Sequence, residues 1–101
     1  MPIADKWRKL IPEQIQNVPD FPGVFEFSDI LQETVLYIGH AESLAQTIQI
    51  IFEKRPPEFG MVNFFRFFAT NDFENEYTKL MEEYKQQHDS LPPINKQLSQ
   101  E

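Results

Sequence analysis

Apolar and polar positions first fall into register between Pro22 and His40. Val24, Glu26 and Ser28 alternate with Phe25 and Phe27, which is the two-residue period of a strand. Residues 29–33 are mostly polar, and residues 34–38 are apolar at four of five positions. Two β-rich runs around a short polar turn predict an antiparallel hairpin, with strands over 23–28 and 34–38. The second strand is apolar on both faces, which predicts a central place in the sheet.

Helical periods follow. Ala41, Leu44, Ile48, Ile51 and Phe52 recur at three and four residues, predicting a helix over 43–54. Gln46, Gln49 and Glu53 fall on its wet side, and Pro56-Pro57 stop it. Residues 62–70 read as a third strand in which Phe64, Phe65, Phe67 and Phe68 flank Arg66. Asn71 or Asp72 caps a second long helix. Its stripe is Phe73, Tyr77, Leu80, Met81, Tyr84 and His88. The segment from Leu91 to Asn95 holds Pro92-Pro93 and reads as extended, returning through Leu91 and Ile94.

Upstream, Ile3, Trp7 and Leu10 share one side of a helix, and Pro12 suits the first turn of a short second one, 12–17. Trp7 is expected to dock this arm onto the core. The chain thus divides into a helical arm and connector (1–21), a main domain (22–95) and a frayed polar tail (96–101). The class is α+β: a three-stranded antiparallel sheet flanked by helices.

Composition narrows the function. Ten phenylalanines in 101 residues give a core rich in large rings. No apolar run approaches the length of a membrane span, and no leader pattern opens the chain, so a soluble, cytoplasmic protein is expected. With no cysteine, disulfides and thiolate metal sites are excluded. The net charge of −7 sets the chain against phosphate backbones, which are bound by clustered Lys and Arg. There is no glycine-rich phosphate loop. His40 and His88 lie too far apart in sequence to read as a metal pair. Arg66, a charge amid phenylalanines, needs a partner or a route to water. It is either a structural ion pair or snorkelling side chain, or a cation lining a pocket near Glu26 or Glu76.

Pro22-Gly23-Val24-Phe25 followed by Leu36-Tyr37-Ile38-Gly39 resembles the GIY-YIG nuclease superfamily, which includes excision-repair and homing endonucleases. The order of strands and helices over 22–95 is similar, as is the late Pro92-Pro93-Ile94-Asn95. The resemblance implies a GIY-YIG-like three-stranded antiparallel sheet. It also implies a site made of two strand tyrosines, a helix arginine and a glutamate that holds a divalent metal. In the family a tyrosine helps to activate the attacking water, and the arginine steadies the charged phosphate.

The carry-over is partial. Tyr37 stands for the second tyrosine and Glu76 for the metal-binding glutamate. Asn95 stands for the terminal asparagine, and His40 for a residue that is often lysine. Phe25 replaces the first tyrosine and has no hydroxyl. Thr47 replaces the arginine and carries no charge. With Phe25, His40, Thr47, Arg66 and Asn95 as pocket residues, the expected function is a binding or interaction module that has lost nuclease activity. No cofactor is expected for it. The alternative is a metal-dependent DNA endonuclease with Tyr37 and Glu76 as its catalytic residues. It would use Mg²⁺ or Mn²⁺ on Glu76 and Arg66 or Arg55 as a phosphate clamp. A protein partner or homodimer through the phenylalanine-rich strand 62–70 is expected, and nucleic acid and membrane are not.

Overall fold

A computed structural model describes residues 6–32 and 34–99 of the chain. Its centre is the strand Gly23–Ser28 (β2), whose six residues are all buried. Strand Arg8–Lys9 (β1) comes before it in sequence, and Val35–Ala41 (β3) and Phe64–Ala69 (β4) come after. All pair antiparallel, in the order β1-β4-β2-β3. Helices Pro12–Ile15 (α1), Leu44–Lys54 (α2), Phe73–His88 (α3) and Pro93–Ser99 (α4) complete the domain, with a 3-10 turn over Pro57–Phe59. The predicted α+β class with an antiparallel sheet flanked by helices matches this architecture.

Alternation along β2 divides the core. Phe25 and Phe27 join Leu44 and Ile48 of α2, Phe65 of β4 and Ile94 of α4 on one side. Val24 meets Ile38 and Leu80 of α3 on the other. Ser43 caps α2, its Oγ accepting from Gln46 N at 3.2 Å, as the sequence at that point favours. Arg55 closes the helix in the left-handed region (φ 39°), just before the two prolines.

Four expectations are corrected. The sheet has a fourth strand: Arg8 and Lys9 lie opposite Phe65 and Phe64, where a helix was expected. A strand there satisfies part of the backbone edge of β4, which a helix would leave unpaired. Leu10 is buried, while Ile3 lies outside the described residues. The second hairpin strand, β3, is an edge strand rather than the central one. It is apolar on both faces because helices cover both.

Pro93 opens a helix rather than an extended segment. Proline at the first helical position loses no hydrogen bond, so Pro92-Pro93 marks a helix start. Residues 96–99 of the expected tail belong to this helix, and residues 100–101 lie outside the described residues. Among the described residues no helix is long and apolar enough to cross a membrane.

Helix α4 carries Asn95, which completes the open edge of β3. Its Oδ1 accepts from Ile38 N at 2.8 Å, and its Nδ2 donates to Ile38 O at 2.9 Å. One amide side chain thus takes the place of a neighbouring strand. Asn95→Ala strands both groups and is expected to lower stability by about 1–3 kcal/mol. Urea unfolding monitored by circular dichroism measures this, and an unchanged midpoint would show the clamp to be idle.

Candidate functional site

The residues expected to form a site fall into separate groups. Phe25 and Tyr37 do come together, with ring centroids 5.9 Å apart. Phe27 lies 5.3 Å from Phe25 and 5.9 Å from Tyr37, and Phe59 stands edge-on to Tyr37 at 5.1 Å. Gly39 lies beneath the pair. A Cβ there would come 2.6 Å from Cζ of Phe25 and 2.7 Å from Cε2 of Tyr37. Glycine is therefore required by close packing at this point. Phe25 is 1% exposed, so this face is a packed aromatic cluster. Burial pushes the Tyr37 phenol up from its ordinary value, and nearby Tyr77 adds to the effect.

The other expected residues lie around this cluster. Thr47 is half-buried on α2, its amide bonded to Ser43 O in the helix's first turn. Glu76 is on the first turns of α3, half-buried, with a carboxylate oxygen 3.8 Å from Lys79 Nζ. His40 is exposed on β3 and packs its ring between Phe73 and Tyr77, at 5.7 and 4.6 Å. Asn95 is committed to the β3 backbone. Among the described residues no three His, Asp or Glu side chains gather closely enough to hold a metal ion. The donor set that a divalent cation prefers, several oxygens converging on one point, is not assembled around Glu76 in the described residues.

Arg66 has a definite partner. It lies opposite Glu26 in the β2–β4 register, and its Nε donates to Glu26 Oε1 at 2.6 Å. The far side of the guanidinium rests on Trp7, with Cζ 4.1 Å from the ring centroid. Arg66 is thus ion-paired, and it also lines a cavity beside Glu26, while Glu76 is not among the lining residues. Arg66 and Glu26 sit on the face of the sheet away from Phe25, as the alternation along β2 requires. They floor this cavity of about 260 Å³ under α3, walled by Ile38, Leu80 and Tyr84, with Glu83 and His88 also lining it.

Sequence reasoning did not pick out Glu83, Gln87 or this face of Tyr84 and His88. Spacing held a signal: 83, 84, 87 and 88 share one helical face, half polar and half aromatic. Such a face borders a core rather than filling one.

A family model described as "Domain of unknown function (DUF7508)" matches residues 1–87. No curated protein matches the chain. Among solved structures, it is similar to the GIY-YIG N-terminal endonuclease domain of UvrC from Thermotoga maritima bound to magnesium, its catalytic divalent cation. That match has a TM-score of 0.60 and 17% identity, over 81% of this chain and 91% of the other. A tyrosine-to-phenylalanine mutant of the same domain, bound to the catalytic cation, matches with a TM-score of 0.60 and 19% identity. It covers 81% of this chain and 90% of the other. The fold is GIY-YIG-like, as the strand motifs implied.

Burial raises the pKa of Glu26 above its ordinary value, outweighing the opposing pull of Arg66, and Glu83 adds to the rise. A raised folded value means that the fold favours the protonated acid. The contribution of Glu26 to stability is therefore full below the unfolded glutamate range. It is lost as pH climbs through the raised folded value. The stability of wild type relative to Glu26→Gln is expected to fall as pH rises from about 4. Denaturation midpoints across that range test this, and a difference that stays flat or grows would contradict it.

Proposed function

The chain belongs to the family described as Domain of unknown function (DUF7508), and from that premise we propose that it is a GIY-YIG-like binding module without nuclease activity. The observation that carries this reading is Phe25. At the place where the GIY-YIG pattern has a tyrosine, this chain has a ring with no hydroxyl, 1% exposed and locked against Phe27, Tyr37 and Gly39. Tyr37 keeps its phenol, but burial holds the proton on it. A group that accepts a proton from water works best with a pKa near the working pH, so the shift runs against that role.

Thr47 brings no cation to a phosphate. Loss of one preorganised electrostatic donor typically costs about 10²- to 10³-fold in rate. The negative charge of the chain adds a long-range penalty for nucleic acid.

The rival reading, a metal-dependent endonuclease using Tyr37 and Glu76, draws its support from the fold. The UvrC domain that this chain resembles binds a catalytic divalent cation. Incubation with duplex and branched DNA in Mg²⁺ or Mn²⁺ separates the two. No cleavage above the blank is expected with either metal. Metal-dependent cleavage that disappears in Glu76→Ala would overturn the binding-module reading and establish the rival.

The partner inferred for the module is a second copy of this chain, added along β4. Arg8 and Lys9 cover only Phe65 and Phe64, so among the described residues the outer side of 67–69 carries no strand. Phe68 is 48% exposed there. Antiparallel pairing of this segment with itself is self-complementary, as a two-fold dimer requires. Size exclusion with light scattering is expected to give a dimer for wild type and a monomer for Phe68→Lys. A wild-type monomer at high concentration would contradict the pairing.

A further inference from the structure

The cavity beneath α3 belongs to neither the aromatic cluster nor the β4 edge. Its floor is an ion pair held in one arrangement. Glu26, 3% exposed, uses Oε1 to accept from Arg66 Nε, and the guanidinium is pinned from behind by Trp7. A guanidinium has five N–H donors in a fixed fork. Among the described residues this one donates only through Nε, so its two terminal amino groups remain for an acceptor. The second oxygen of Glu26 is likewise uncommitted. No buried side-chain nitrogen or oxygen among the described residues lacks a partner. The spare donors and the spare acceptor are therefore those with access to the cavity. Glu83 adds negative potential beside Glu26. The walls are apolar: Ile38, Leu80 and the Tyr84 ring.

The geometry points to a binding site for a small zwitterion of the α-amino-acid class with an apolar side chain. The ligand carboxylate takes the two amino groups of Arg66, the bidentate arrangement that this fork favours. Its ammonium takes the free oxygen of Glu26, within the field of Glu83. The side chain lies against Ile38, Leu80 and Tyr84. A single charge of either sign would leave half of the ion pair's spare hydrogen-bonding groups unmet in a partly dry site. At about 30 Å³ per water, a cavity of about 260 Å³ holds roughly nine waters. That sets the ligand at the size of leucine. The site lies on the opposite face of the sheet from Phe25 and does not depend on whether the chain cleaves DNA.

Three probes with the same branched side chain test this: leucine, 3-methylbutylamine, which lacks the carboxylate, and 4-methylpentanoate, which lacks the amine. Titration into the full chain is followed by amide chemical shifts. Leucine is expected to give saturable shifts at Ile38, Leu80 and Tyr84, with each truncated probe weaker by at least about 10-fold. Gln87→Trp, which covers the mouth from α3, is expected to abolish the shifts without changing the circular dichroism spectrum. If that variant does not fold, Thr34→Trp on the sheet side of the mouth is read instead. The proposal is overturned if leucine gives no saturable shift up to about 10 mM. It is equally overturned if a truncated probe binds as well, or if the covered variant still binds.

Discussion

Cζ of Phe25 and Cε2 of Tyr37 approach so close to Gly39 that no Cβ fits between them, and the hairpin closes with the two rings crossed above that bare Cα. This contact couples β2 to β3. Phe27 and Phe59 then pack around the same rings. In a GIY-YIG pattern these positions carry the site's phenols. Here Phe25 carries no hydroxyl and is buried in the core, while Tyr37 keeps its phenol. A ring without a hydroxyl can be buried fully at no hydrogen-bonding cost. Each large apolar side chain withdrawn from water is worth about 1.5–3 kcal/mol, so the cluster stabilises the hairpin.

Polar chemistry persists on the other face of β2. Glu26 and Arg66 face each other across the register, and α3 covers them only partly. Removing either partner would leave a buried or half-buried charge, so the pair is maintained as a unit. A central strand with aromatic packing on one face and a paired charge on the other gives the domain two unlike surfaces. The proposed nuclease loss concerns the first, and the proposed ligand site concerns the second.

How much of this the sequence displayed depended on whether the information was local. The strand 23–28 was legible to its last residue because alternation and the flanking Pro22 and Asp29 mark it without outside help. Helix α2 was legible from its stripe, Ser43 and the two prolines. The place of β3 at the edge was not, because covering by helices and covering by strands leave the same apolar pattern. Arg8 and Lys9 show no strand period, since two residues borrow their conformation from β4. Pro92-Pro93 fits an extended run and a helix start equally well. Arg66 announced its need for a partner, and its position opposite Glu26 follows once register is known. The face made by Glu83, Tyr84, Gln87 and His88 became readable only when α3 was placed over β2.

We propose that packing around Gly39 leaves this domain without a cation-dependent site. Manganese titration followed by amide line broadening tests it most directly, because a paramagnetic ion broadens the signals of residues close to it. Uniform, weak broadening over the acidic surface is expected, with no preference for Tyr37, Glu76 or Asn95. Selective, saturable broadening at those three residues would contradict it and restore the endonuclease reading.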